Sequence, residues 1–299
     1  MITVTLARRL ISIYRAIRLR MLRGEKSWQK VSGNVYMKID PNDFMDRAFL
    51  FGYYERELYT LIHSLVQPGD VCIDVGAHKG YITLQLGKRV GERGLVIAIE
   101  PDPYAREELL ANCEKNGFAQ VVVLSCALSN AQGQCEFYLS SQLGHSTRFQ
   151  TEMVKRTIHS QIQVETKTLD QVVQEYQALI NSRPLSFVKI DAEGSEPLIL
   201  AGAQRVLNEF KPVLWVEVNR PLLARSSISP ALIEEILRAA GYQLYLTRWD
   251  WDLFLRGNLN LLPVRSLEAE VRDCENVVAV SDGSEYRQRL RSKHIRIRE

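Results

Sequence analysis

Apolar and polar positions alternate along this chain in two periods. Short apolar runs occur at Val71–Val75, Leu95–Ile99, Val121–Ser125, Ser186–Ile190, Val213–Val218 and Tyr242–Thr247. They read as strands, and stretches of helical periodicity separate them. Helices are expected over Tyr53–Leu65, Tyr81–Val90, Tyr104–Asn116 and Ser229–Ala240. Gly117 and Gly241 stand where helices commonly end. Gln134–Leu139 and Ile162–Lys167 add strand patterns, and Thr168 is placed to cap a short helix running to Tyr176. Ser195 is placed to cap another, with Pro197 tolerated in its first turn. Residues 24–52 read as irregular or short-stranded, and Ser140–His159 as a polar surface loop or lid.

Strands alternating with helices predict an α/β fold, a mostly parallel doubly wound sheet with helices on both faces. Right-handed crossovers bring the ends of its parallel strands to one side, which places a ligand cleft there, beside the switch in strand order. The 299 residues and 46% hydrophobic content suffice for one large domain without disulfides or a structural metal. The five cysteines form no CxxC pair and read as reduced core residues of a cytoplasmic protein.

Charge changes this picture at the two ends. The formal net charge is +3, yet arginines and lysines crowd residues 8–30 and 287–298, so the middle is net acidic. Over residues 5–23, Leu6, Leu10, Ile13, Tyr14, Ile17 and Met21 form one helical stripe opposite the arginines. Such a helix suits peripheral contact with an anionic membrane, or packing on the protein's own core or on a second subunit. The apolar run near Leu10 is too short and too interrupted for a signal peptide, and no stretch approaches the roughly 20 apolar residues of a membrane span. The boundaries that follow are an N-terminal basic extension at 1–49, a catalytic domain at 50–285 and a basic tail at 286–299. The acidic middle and the absence of an RNA-recognition signature weigh against nucleic acid as a partner.

Three clusters carry candidate chemistry. In Asp74-Val-Gly76-Ala77-His78-Lys-Gly80, Gly76 permits a tight turn with close backbone approach and Gly80 lets a helix pack near the strand. His78 stands where a dinucleotide fingerprint has its second glycine. Glu100 ends the next strand about 20 residues on, the position of an acid that accepts hydrogen bonds from ribose hydroxyls. Asp191, Glu193 and Glu196 crowd the end of a third strand, where like charges need a cation, a proton or donors. Glu217 and Asn219 follow the next strand, either orienting substrate hydroxyls or joining Asp191 as hard oxygen ligands for a divalent cation. No zinc site is visible.

These residues together resemble the FkbM family of S-adenosylmethionine-dependent methyltransferases. The matching pieces are Tyr54-Glu55, Pro68-Gly69-Asp70, Asp74–Gly80, Glu100-Pro101, Ala127-Leu128-Ser129, Thr168-Leu169-Asp170, Lys189–Glu196 and Glu217, covering roughly residues 50–220. The family's glycine-loop motif often has Asn where this chain has His78. The resemblance implies a class I methyltransferase fold and methyl transfer from S-adenosylmethionine to a hydroxyl of a small molecule, sugar or glycan. It implies that Asp74, Gly76, Ala77, His78, Gly80, Glu100, Ala127 and Asp191 hold the cofactor. Glu55, His145, Glu217 and Asn219 would meet the acceptor. Asp191 is the first choice of catalytic base, with Glu193 and His145 as further candidates. The competing readings are a nicotinamide-dependent oxidoreductase, opposed by the missing glycine, and a non-catalytic membrane-associated scaffold that retains the fold.

Overall fold

The computed structural model describes residues 15, 17–22, 24–140, 146–147, 158–180, 183–251, 257–282, 284–292 and 294–298. Among the described residues the strands are β1 (Ser27–Lys30), β2 (Tyr36–Ile39), β3 (Val71–Val75), β4 (Leu95–Ile99), β5 (Val121–Leu124), β6 (Ala127–Leu128) and β7 (Gly133–Ser140). They continue with β8 (Ile158–Lys167), β9 (Leu185–Ile190), β10 (Val213–Asn219), β11 (Tyr242–Trp251), β12 (Gly257–Pro263), β13 (Cys274–Ser281) and β14 (Ile295–Ile297). Nine of them form one sheet in the order β14-β12-β11-β13-β10-β9-β3-β4-β5. The block β10-β9-β3-β4-β5 is parallel throughout. From β3 the chain moves outward through β4 to β5, then crosses back to β9 on the other side of β3. The switch in order therefore lies between β3 and β9, where a cleft is expected.

Every residue of β3, β4 and β9 is buried. Helices cover both faces, so these strands read as continuous apolar runs instead of half-polar ones. The period of two still sorts them. Val71, Ile73 and Val75 join the core on one face, and Cys72 joins Val96, Ala98 and Phe187 on the other. The helices that pack here are α1 (Phe44–Phe51), α2 (Arg56–Leu65), α3 (Tyr81–Val90) and α4 (Pro103–Lys115), followed by α5 (Leu169–Glu175), α6 (Glu196–Ala201) and α7 (Pro230–Ala239). In α2, Leu58, Leu61, Ile62 and Leu65 form the buried stripe that the sequence spacing implies. Thr168 caps α5 with a full capping box completed by Gln171.

Three regions differ from expectation. Residues 24–52 hold the expected short strands, paired as an antiparallel β1–β2 hairpin, but also the unanticipated helix α1. Asp43 caps α1 by accepting from the Asp46 amide, and Gly52 ends it at a φ of 65°. Beyond Thr247 the chain adds β12, β13 and β14. β13 runs antiparallel to both β10 and β11, so the sheet is parallel at its centre and mixed at one side. The stretch set apart as a basic tail is built into this sheet: Tyr286, Leu290 and Ile295 are buried, and β14 pairs with β12. Counting charge there hid three apolar anchors. Of the amphipathic N-terminal helix, residues 17–21 are helical, whereas Leu6, Leu10, Ile13 and Tyr14 lie outside the described residues. Among the described residues no helix is long and apolar enough to cross a membrane.

A buried ion pair ties α1 to the glycine loop. Lys79 Nζ lies 2.8 Å from Asp46 Oδ1, and both side chains are almost wholly excluded from solvent. Asp46 also accepts from the Asp40 amide, and the Lys79 carbonyl accepts from Asn112 of α4. Removing Asp46 leaves the buried Lys79 ammonium with only the more distant Glu108 carboxylate, 3.9 Å away, which costs more than the pair contributes relative to apolar neighbours. Asp46→Ala is therefore expected to lower unfolding free energy by about 3–5 kcal/mol in urea denaturation. A loss below about 1 kcal/mol, the size of a surface pair, would contradict this.

Candidate functional site

The strand ends of β3, β4, β9 and β10 open into a cavity of about 730 Å³. Its floor is the turn after β3. The amides of Gly76 and Ala77 both donate to the Ile99 carbonyl, which fastens this turn to β4. Gly76 has a φ of +74°, and a Cβ there would overlap the Asp191 carbonyl oxygen. The loops after β3 and β9 can thus meet only at a glycine. Gly80, by contrast, does not line the cavity. It starts α3 at a φ of +90°, and a Cβ there would strike Leu109 of α4, so its role is packing.

Glu100 stands at the end of β4 as expected, buried in the cavity wall. Its Oε2 accepts from the His78 amide at 2.7 Å and its Oε1 from the Asp102 amide at 2.8 Å. The carboxylate therefore pins the glycine loop to the approach of α4, a structural duty that strand-end spacing does not reveal. Burial pushes its pKa up to about 7 against these stabilising amides. Asp74 is fully buried under the turn, where Oδ2 accepts from Thr83 at 2.6 Å.

Lys189 organises the opposite wall. Its ammonium lies 3.0 Å from Asp191 Oδ2, 3.8 Å from Asp74 Oδ1 and 3.4 Å from the Gly76 carbonyl oxygen. Burial alone would lower its pKa, but the Asp191 and Asp74 carboxylates outweigh burial and raise it, so it stays charged. Around it stand Glu55, Glu193 and Glu217, all lining the cavity. Burial first, then the Asp191 charge, pushes Glu55 up to about 7, Glu217 to about 8 and Glu193 to about 9. Glu196 is buried beneath the loop, where Oε1 accepts from the amides of Ala192 and Gly194. It shapes the turn that presents Asp191 and Glu193.

Backbone strain gathers at the same place. Among the described residues six non-glycine positions have positive φ, and three of them, Glu55, His78 and Glu193, line this cavity. Such conformations cost on the order of 1–3 kcal/mol each and persist where surrounding structure holds them. Burial lowers the His78 pKa to about 4, so its imidazole is neutral at physiological pH. His78 Nε2, Asp74 Oδ1 and Glu196 Oε2 are buried without a hydrogen-bond partner among the described residues. Polar atoms in that state require a ligand or a proton.

Ala77, Ala127 and Leu128 supply apolar lining beside Glu100. Ser146 and Thr147, from the stretch read as a lid, reach both rims: Ser146 donates to Asp102 at 2.7 Å and Thr147 to the Glu193 carbonyl at 3.1 Å. His145 lies outside the described residues. Asn219 is absent from the lining. Its Oδ1 accepts from the Leu222 amide at 3.2 Å, capping a short helix, which removes it from the acceptor and cation sets. Among the described residues no three His, Cys, Asp or Glu side chains stand at metal-ligand spacing. Sequence reasoning missed Lys189, although it lies two residues before Asp191 on a buried strand. A lysine inside an apolar run is the signal that identifies it, since Lys is almost never fully buried unless paired.

The Methyltransferase FkbM domain matches residues 74–244 of this chain. Among solved structures, the chain resembles the FkbM methyltransferase of Methylobacillus flagellatus KT at 17% identity and a TM-score of 0.41, covering 80% of this chain and 55% of that one. It also resembles the precorrin-6y C5,15-methyltransferase of Geobacter metallireducens GS-15 at 11% identity and a TM-score of 0.40, covering 75% and 86%. An O-methyltransferase from Bacillus cereus in complex with SAH matches at 12% identity and a TM-score of 0.40, covering 77% and 81%. No curated protein matches the chain.

The raised carboxyls set a pH dependence of stability. Glu55, Glu100, Glu196, Glu217 and Glu193 titrate higher in the folded protein, between about 7 and about 9, than in the unfolded chain. The folded state then binds more protons across that window, so stability falls as pH rises from about 5 to about 9. Urea midpoints are expected to drop over this range, and Glu193→Gln is expected to flatten the alkaline end. A profile that rises toward pH 9 would contradict the assignment.

Proposed function

Because the chain belongs to the FkbM methyltransferase family, we propose that it transfers a methyl group from S-adenosylmethionine to a hydroxyl oxygen of a small molecule, sugar or glycan. The observation that carries this reading is the acid-walled cleft built on the Gly76 turn, with Glu100 ending the neighbouring strand. The residues present fit such a donor. Glu100 is placed for ribose hydroxyls, Ala127 and Leu128 for a flat base, and the unpartnered His78 Nε2 for a polar group near the turn. The carboxylates of Asp191, Glu55 and Glu193 suit a positively charged centre. When bound, the sulfonium supplies an electrophilic methyl group. Membership of a methyltransferase family also displaces the nicotinamide reading.

A hydroxyl must shed its proton as it attacks, so a base near the acceptor oxygen is required. We assign this role to Glu193 in preference to Asp191. The Asp191 carboxylate is held 3.0 Å from the Lys189 ammonium, so its Oδ2 is already engaged in an ion pair. Among the cleft carboxyls with a shifted pKa, Glu193 is pushed highest, up to about 9, and it is held at a strained φ of 50°. Asp191 and Lys189 then orient the loop that carries it. Glu217 and Glu55 stand opposite as hydrogen-bond partners for acceptor hydroxyls. Free cysteines, three of them buried, fit a reducing cytoplasmic setting. Ile17 and Met21, 56% and 76% exposed, keep peripheral membrane contact within the same proposal.

Glu55, Glu193 and Glu217 are expected to release protons when a cation enters the cleft, because an adjacent positive charge lowers carboxyl pKa. Calorimetry in buffers of different ionisation enthalpy is expected to show more proton release with S-adenosylmethionine than with the uncharged-sulfur product S-adenosylhomocysteine. Equal release would remove the sulfonium from this wall. Glu193→Gln is expected to lower kcat by about 10²- to 10⁴-fold with product affinity little changed. Unaltered turnover would exclude it as the base. Glu100→Ala is expected to weaken affinity for the product, and tight binding by that variant would refute the ribose role.

A further inference from the structure

The turn between α1 and α2 has two faces. Tyr54 and Glu55 line the acidic cleft, while Tyr53, Arg56 and Glu57 line a second hollow of about 360 Å³, completed by Arg15 and Trp249. The five lining residues are all half-buried. The Arg15 guanidinium lies 5.0 Å from the Tyr53 ring centre and 5.5 Å from that of Phe51, and these two rings stack at 10°. Arg56 Nε donates to the Gly52 carbonyl at 3.1 Å, which fixes its guanidinium against the turn. Trp249 is seated on β12, where a Cβ at Gly257 would overlap its indole. Among the described lining residues two guanidiniums stand with one carboxylate, directly beside a cleft lined by acids.

We propose that this hollow is a subsite for the anionic part of the acceptor, a saccharide carrying a phosphate or carboxylate group. This rests on the methyl-transfer reading. Sugar faces pack on aromatic rings such as Tyr53 and Trp249, and guanidinium groups bind oxyanions through paired hydrogen bonds. The acidic cleft repels an anion, so the negative end of such an acceptor settles at Arg15 and Arg56. A neutral hydroxyl end is then directed past the Tyr54–Glu55 wall toward Glu193. Charge separation across a single turn thereby fixes which end of the acceptor faces the methyl donor.

Calorimetry of the full chain with glucose 1-phosphate, with glucose and with S-adenosylhomocysteine tests this. Glucose 1-phosphate is expected to bind about tenfold or more tightly than glucose, and R15Q/R56Q is expected to abolish that difference. Product affinity, read on the same samples, is expected to stay within about twofold and reports an intact cleft. R15Q alone, whose guanidinium meets only rings among the described residues, is expected to weaken sugar phosphate binding in the same direction. Equal affinity for the two sugars, or a double variant that keeps the preference, would overturn the subsite. Failure of the wild-type chain to bind S-adenosylhomocysteine would instead overturn the methyl-transfer reading.

Discussion

One buried ammonium holds the cleft together. Lys189 reaches from β9 to Asp191 on its own strand end, to Asp74 beneath the neighbouring turn and to the Gly76 carbonyl. Removing these charges from water is costly, and mutual attraction offsets that cost only in close geometry. The loops after β3 and β9 are consequently fixed relative to each other before any ligand arrives. Gly76 makes this contact sterically feasible, since a side chain there would collide with the Asp191 carbonyl.

The same arrangement leaves an electrostatic imbalance that a ligand can use. Lys189 lies closest to Asp191 and Asp74, while burial and the Asp191 charge push Glu55, Glu193 and Glu217 up and favour their protonated forms. Electrostatic groups held in place by the fold need no reorganisation at the moment of reaction. Strain at Glu55, His78 and Glu193 is stored where that preorganisation is required.

The central sheet was legible because β3, β4 and β9 are buried on both faces and therefore apolar along their whole length. The cleft was legible because Asp74, Glu100 and Asp191 end or interrupt such runs, where burying an acid needs a reason. The mixed side of the sheet was not: β13 pairs with β10 and β14 with β12 across long stretches of intervening chain, which local pattern does not encode. Helix α1 was hidden because its first turn follows Pro41-Asn42-Asp43, which reads as a turn until Asp43 is recognised as a cap. Roles set by hydrogen bonds, such as the Asn219 cap and the two amides on Glu100, also escaped, since spacing places a side chain without saying where it points.

A crystal structure of the chain with S-adenosylhomocysteine bound tests the central claim most directly. The account requires the ribose hydroxyls at the Glu100 carboxylate, the sulfur facing Asp191 and Glu193, and the Lys189–Asp191 pair intact. Product seated away from the Gly76 turn, or Lys189 released from Asp191 in the complex, would contradict it.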